Sequence, residues 1–298
     1  MRPYLRNAAA VCLLATTALY AAGAKTFGSP EEAVQALVAA AKANDSKAIL
    51  AVLGPEAKEI VLSGDTPTDK QARERFVKAY GDASKIAKPD ESMALLLVGK
   101  DEWIFPIPLV KEAGGWRFDV AEGKEEILNR RIGRNELHAI QAVQAYVDAQ
   151  KEYYLRNPQN EKLLQYAQRI VSGKDRRDGL YFPVKSGEPA SPLGPLFDRI
   201  HAGKGAPGKP VPYHGYYYRV LKGQGPDAPG GAYSYLAQGR MIGGFALVAW
   251  PAAYGNTGIM TFIVNQDGVV YQKDLGAGTT AAAQKITRFN PDKSWKPL

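Results

Sequence analysis

The sequence has one cysteine in 298 residues, Cys12, and only three histidines. A single thiol excludes a disulfide framework and a multi-cysteine zinc or iron–sulfur site. His138, His201 and His214 stand apart, with no HExxH pair and no GxSxG elbow for a nucleophilic serine. Basic residues exceed acidic ones, 38 to 30, yet no run of Lys and Arg is longer than two. The charge is therefore mild and dispersed, which argues against a nucleic-acid partner. No apolar run reaches the ~20 residues of a membrane-spanning helix, and no repeat of fixed period or low-complexity tract is present. With 45% apolar and 23% charged residues the chain is too apolar for disorder, and its length suits two domains.

Residues 1–24 read as a secretory leader. Arg2 and Arg6 precede an uncharged Ala- and Leu-rich stretch over residues 8–22, and Ala22-Gly23-Ala24 supplies small residues at −3 and −1 of a cleavage site. The alternative, an uncleaved anchor, is disfavoured because the stretch is about 15 residues and a span needs roughly 20. Ala10-Val11 before Cys12 is a poor lipoprotein signal. Cleavage after Ala24 removes that cysteine and lowers the net charge of +8 by two. The mature chain then has no cysteine nucleophile or thiolate ligand, no stable membrane insertion, and a mild positive charge suited to an envelope rich in anionic polymers.

Ser29-Pro30-Glu31-Glu32 predicts a capped helix start, with Val34, Leu37, Val38 and Ala41 at helical spacing. Asn44-Asp45 starts a second helix with Ile49, Leu50, Val52 and Leu53, and a third after Thr68 carries Phe76, Val77 and Tyr80. Strands are expected over 93–98, 103–110 and 116–120, with Gly114-Gly115 as a turn. Residues 121–134, with Glu125, Glu126, Arg130, Arg131 and Arg134, read as an exposed helical linker. A long helix over 135–155 is striped by Leu137, Ile140, Val143, Val147 and Tyr154. Asn157-Pro158 predicts a further helix with Leu163, Leu164, Ala167 and Ile170, and Ser191-Pro192 a short one with Leu196, Phe197 and Ile200. Strands follow over 216–221, 245–250, 258–264 and 269–273, the last two joined by Asn265-Gln266-Asp267-Gly268. The expected fold is α+β: a 25–120 domain of helices on an antiparallel sheet, the 121–134 linker, then a 135–298 domain with a long helix packed on an antiparallel sheet.

The chemistry-bearing motifs are weak. Residues 203–209 fit G-x-x-x-x-G-K, but Pro210 follows where a hydroxyl would hold Mg²⁺ and no strand precedes. Asp175, Asp178 and Glu188 share a loop with Arg176 and Arg177, without the spacing of a hydrolytic carboxylate pair. Asp267 is explained by its hairpin. No catalytic residue, metal ligand or cofactor is assigned. The most aromatic segment is the one candidate binding site: Tyr213, His214, Tyr216, Tyr217, Tyr218 and Arg219 form a stacking platform for a sugar or peptide. Strand alternation puts Tyr216 and Tyr218 on one face and Tyr217 on the other.

Several stretches carry a resemblance to a known family. They include Phe27-Gly28-Ser29-Pro30-Glu31-Glu32-Ala33, Val98-Gly99-Lys100-Asp101, Phe105-Pro106-Ile107-Pro108-Leu109, Arg134-Asn135-Glu136-Leu137 and Tyr146-Val147-Asp148-Ala149-Gln150. Residues 178–181, 240–245 and 262–268 complete them. The chain resembles the bacterial domain-of-unknown-function family 2950 over nearly all of the mature length. That resemblance implies an exported bacterial protein and brings no activity with it. At the level of fold, residues 27–120 resemble a nuclear-transport-factor-two-like (cystatin-like) cone, without the His of its catalytic members. Residues 135–275 resemble a type IV pilin headgroup, a likeness strengthened by residues 249–258, but lack the apolar half-helix that a pilin begins with.

The sequence thus points to an exported protein of the periplasm or extracellular medium that binds another envelope protein or a cell-wall glycan without catalysis. The rival readings are a hydrolase using His214 with a nearby carboxylate, and an accessory of a pilus or secretion assembly. N-terminal sequencing of the protein from its native host should begin at Lys25; a membrane-held chain still starting at Met1 overturns the leader.

Overall fold

The computed structural model describes residues 24–194 and 211–298. The leader with Cys12, the helix expected to carry Leu196, Phe197 and Ile200, His201 and the glycine-rich loop 203–209 lie outside the described residues. The chain divides into two compact units, at Glu126 and Ile127.

In the first unit, helix α1 (Pro30–Lys42) starts as its sequence predicts: the Ser29 hydroxyl accepts from Glu32 N at 3.1 Å. The Glu32 carboxylate accepts from Gly28 N at 3.0 Å, one residue before the usual capping-box donor. Asp45 caps α2 (Ser46–Leu53) through Lys47 N and Ala48 N. A short α3 (Lys58–Val61) and α4 (Thr66–Asp82) follow. Strands β1 (Ser84–Ala87), β2 (Met93–Val98), β3 (Trp103–Ile104), β4 (Leu109–Glu112) and β5 (Gly115–Phe118) form an antiparallel sheet in the order β1-β2-β4-β5, with β3 also on β2. The single strand expected over 103–110 is broken because Pro106 and Pro108 have no N–H to give a ladder. Alternate residues of β2, Ala94, Leu96 and Val98, face a core shared with Val34, Leu37, Ile49, Leu53 and Phe118. Gly115 begins β5 at φ +120°, where a Cβ would stand 2.4 Å from Phe27 O, and Phe27 and Trp116 exchange backbone hydrogen bonds there at 2.8 Å.

Helix α5 (Val120–Arg156) is continuous for 37 residues. Asp119 caps it through Glu122 N at 3.3 Å, so the stretch read as a linker and the long helix after it are one element. Its buried residues include Ala139, Val143, Tyr146, Val147, Gln150 and Tyr153, whereas Leu137 is 63% exposed. Of the expected stripe, Val143 and Val147 are buried, Ile140 packs against the core and Tyr154 stacks on Tyr166; Leu137 alone faces outward, and alanines and tyrosines complete the inner face.

The second unit is built on an antiparallel sheet. Its members are β8 (Tyr216–Leu221), β13 (Ala246–Pro251), β14 (Met260–Asn265), β15 (Tyr271–Asp274) and β16 (Lys296–Pro297), in the order β16-β15-β14-β13-β8. The β14–β15 connection turns at Asn265–Gly268, with Gly268 at φ +79°, as Asp-Gly predicts. Every residue of β13, an inner strand between β14 and β8, is buried, so both of its faces are covered. A parallel pair, β6 (Arg169–Val171) and β7 (Gly179–Tyr181), precedes the sheet. Two small ribbons, β9 (Gly223–Gln224) with β10 (Tyr233–Ser234) and β11 (Leu236–Ala237) with β12 (Arg240–Met241), lie between β8 and β13. Helix α6 (Thr279–Lys285) follows β15. The α+β class expected from the sequence is the class found.

The helix expected over 157–170 does not form. Asn157 takes a left-handed φ of +46° and ends α5, and its side chain bonds Glu161 N and O at 3.1 and 2.8 Å. Ala167 is held extended by Gln150, which is fully buried in α5. The Gln150 carboxamide accepts from Ala167 N and donates to Ala167 O, each at 2.9 Å, and also donates to the Tyr146 hydroxyl at 2.9 Å. Replacing Gln150 with Leu strands both backbone groups of Ala167 in the core. Buried unsatisfied polar groups cost about 1–3 kcal/mol each, so the variant should lose roughly 3 kcal/mol, read as a lower urea midpoint.

Candidate functional site

Residues Tyr213, His214, Gly215 and Tyr216 form a tight turn leading into β8. Tyr213 N donates to Tyr216 O at 2.8 Å and Tyr216 N to Tyr213 O at 3.0 Å. Both central residues are left-handed, His214 at φ +47° and Gly215 at +75°, the combination of a type I′ hairpin. Only glycine fits at 215: a Cβ would lie 2.7 Å from Asn135 Nδ2 and 2.8 Å from Thr257 Cβ.

Those neighbours show how α5 fixes the turn. Arg131 Nη2 donates to Asn256 Oδ1 at 2.6 Å, and Asn135 Nδ2 to Thr257 O at 2.9 Å. Glu136 Oε1 accepts from Ile259 N at 2.8 Å and Met260 N at 2.9 Å. The loop so held returns Ala252 N to Gly215 O at 2.8 Å. Residues 131, 135 and 138 share one helical face at i, i+4, i+7. His138 on that face brings its ring centroid to 4.1 Å from His214, tilted 47°, and Tyr213 closes on His214 at 4.2 Å. Three rings meet at this corner, with His214 exposed and Tyr213 half-buried.

The other residues of the expected platform go elsewhere. Tyr216 is buried, donates to Met260 O at 3.0 Å and lies 5.8 Å from the Phe262 ring. Burial, reinforced by the Glu136 carboxylate, pushes its phenol up. Tyr218 is half-buried beside Tyr213, and burial likewise raises its phenol. Tyr217 packs on Trp250 at 5.8 Å. Arg219 lies over the same indole at 5.5 Å and gives its guanidinium to three carbonyls at the end of α6: Ala283 O at 2.8 Å, Gln284 O at 3.1 Å and Ile286 O at 2.6 Å. The alternation of Tyr216 and Tyr218 against Tyr217 and Arg219 matches these separate partners.

His138, Asn135 and Glu136 belong to the corner although sequence reasoning assigned them no site role. Their only signal was membership of a charged helix, and the partners they meet are far along the chain. The acidic loop residues do not combine. Asp178 accepts from Gly173 N at 2.8 Å and lies 3.7 Å from Arg169, while Glu188 pairs with Arg177 at 2.7 Å. Among the described residues, no three His, Cys, Asp or Glu side chains gather as a metal site, and no helix is long and apolar enough to cross a membrane.

Burial raises the phenols of Tyr146, Tyr216, Tyr218 and Tyr235, and pushes Tyr153 up to about 12. An unfolded tyrosine ionises near pH 10. The unfolded chain therefore loses these protons first, and stability falls as pH rises from about 10 through the folded values. Melting temperature should hold from about pH 7 to 9 and drop steeply above about 10. Absorbance at the phenolate band should show these tyrosines ionising only with unfolding.

No curated protein and no solved structure matches the chain. The family described as "Protein of unknown function (DUF2950)" matches residues 24–298, which include every part of the corner. The chain belongs to that family.

Proposed function

We propose that this is an exported envelope protein, in the periplasm or extracellular medium, that works by binding another envelope protein or a cell-wall glycan and performs no covalent chemistry. The leader pattern of residues 1–24 supports export, and the family match begins at its predicted cleavage point. The observation that carries the binding reading is the corner itself. The rings of Tyr213, His214 and His138 are set at 4.1–4.2 Å spacing by a turn tied to α5 and to the 252–260 loop. Ring faces held in place before binding suit the flat apolar faces of sugars or the side chains of a peptide.

The hydrolase reading needs a carboxylate to orient a histidine. Glu136, the acid of the corner, already has Oε1 committed to two backbone N–H groups. The reading as a pilus or secretion accessory rests on the order of a long helix followed by an antiparallel sheet, as does the pilin-headgroup likeness. The cystatin-like likeness of the first unit rests likewise on helices preceding a sheet. The division into compact units inside α5 supports a two-domain chain.

Co-sedimentation with isolated cell-wall sacculi, and capture from envelope extract, test the proposal with the Tyr213→Ala/His214→Ala double variant. Aromatic contacts are worth about 0.5–1.5 kcal/mol each, so binding should weaken by about tenfold while the chain still melts cooperatively. Unaltered binding overturns the role of the corner. Release of soluble fragments from sacculi, lost in His214→Ala, establishes the hydrolase instead.

A further inference from the structure

A pocket of about 300 Å³ opens in the second unit where β14 meets the chain after α6. Ligand pockets begin at roughly this size. Its apolar wall is Ile263, Ile286 and Trp295, and its polar side is Lys285, Arg288 and Asn290. Ile263 is 1% exposed and Trp295 9%. A buried indole and two branched aliphatic chains therefore line one side, and two exposed cations the other.

The cations are available for a structural reason. A helix C-terminus carries partial negative charge and unpaired carbonyls, and a basic residue of the last turn commonly answers both. Lys285 ends α6, but Arg219 reaches across from β8 and takes the carbonyls of Ala283, Gln284 and Ile286. The helix end is satisfied from the sheet, and Lys285 is not needed there. Arg288 gives Nη1 to Gln224 O at 3.2 Å, which anchors the guanidinium and leaves most of its donors unspent. Among the described residues neither cation forms an ion pair. The acids of the flanking loops have other partners: Asp227 accepts from Asn290 Nδ2 at 2.7 Å, and Asp292 from Ser294 N at 2.8 Å. On the far side, Lys273 lies 5.8 Å from the Trp295 ring and bonds Ser294 Oγ at 2.6 Å.

We propose that this pocket binds a small amphipathic carboxylate. The carboxylate accepts from Arg288 and Lys285 in charge-assisted bonds, and its apolar body lies against Trp295 and Ile286. Neutral molecules of the same shape lose the ionic term, and cationic ones are repelled. This site shares no residue with the Tyr213–His214 corner and does not rest on the function proposed above.

Phenylacetate and phenylacetamide have the same ring and differ in the carboxylate. Each is titrated into the purified protein while the Trp295 indole N–H signal is followed by NMR. Phenylacetate should shift that signal and bind about tenfold more tightly than the amide, with the preference shrinking as salt is raised. Lys285→Ser/Arg288→Ser should abolish the preference, and Tyr213→Ala/His214→Ala should retain it. Lys285 is exposed, so Lys285→Ser alone keeps the test valid if the double variant misfolds; its phenylacetate affinity should fall about threefold. Equal binding of acid and amide, no Trp295 shift up to about 10 mM of either, or an acid preference that survives Lys285→Ser undiminished overturns the proposal.

Discussion

The second unit depends on one buried side chain behaving as backbone. Gln150 offers Ala167 an acceptor and a donor at 2.9 Å each, the arrangement a neighbouring strand would supply. A carboxamide can satisfy the N–H and the C=O of one residue at once, and buried backbone groups without such partners are strongly destabilising. From that pairing the surrounding geometry follows. Tyr166 N, one residue earlier, donates to Met241 O at 2.8 Å. The Tyr166 ring stacks on Tyr154 of α5 and meets Phe245 edge-on, each at 4.8 Å. Tyr146, bonded to the same Gln150, donates to Ala246 O at the start of β13. One amide thus ties the helix, the extended segment after it and the inner strand β13 into a single core.

The other end of the helix uses the same device for a different purpose. Arg131, Asn135 and Glu136 replace missing strand partners for the loop over 256–260, pairing with a side-chain amide, a carbonyl and two backbone N–H groups. The loop closes on itself through Thr257 N to Ala253 O at 2.8 Å and Gly255 N to Gly258 O at 3.0 Å, and the helix side chains fasten its outer groups. The turn at 213–216 then packs into it through Gly215. Positioning by side chains of a long rigid helix is accurate, because neighbouring residues on one face hold their spacing. This is why three rings converge at a corner that contains little regular structure.

What was legible in the sequence is what local chemistry controls. Ser29 and Asp45 cap their helices, and Asp267-Gly268 turns its hairpin, because each signal acts within a few residues. The inner strands of both sheets follow from apolar runs between turn residues, whereas the edge strands β1 and β16, short and largely exposed, carry no such run. Long-range choices were not legible. Asn157 can cap a new helix or end an old one; the left-handed ending won because Gln150 had claimed Ala167. Leu137 sits outward while Ala139, Ala142 and Ala149 take buried positions on α5. For the candidate platform, Tyr213 and His214 were named from the aromatic cluster, but His138 is 76 residues from His214, and no pattern in either segment announces the other. Arg219 reads as a ligand contact in sequence and proves to be the cap of α6, since a guanidinium meets three carbonyls only once β8 and the helix are assembled.

The corner contains features that turn formation alone does not require. A type I′ hairpin is made most readily by Asn-Gly, and a histidine at positive φ is tolerated with less ease. Holding a non-glycine residue in a sparsely populated backbone region costs on the order of 1–3 kcal/mol. His138 adds a second departure: its Nδ1 is buried with no hydrogen-bond partner among the described residues, a desolvation penalty that an apolar residue on the same helical face would avoid. Both departures involve the two rings that meet at 4.1 Å, tilted 47°, and neither contributes to the backbone bonds that close the turn. The substitution His214→Asn would keep those bonds and relieve the strain, and His138→Leu would fill the same space without an orphaned nitrogen. What such replacements would lose is the imidazole pair. The tilted imidazole pair is therefore the feature of the corner that the backbone bonds of the turn do not require.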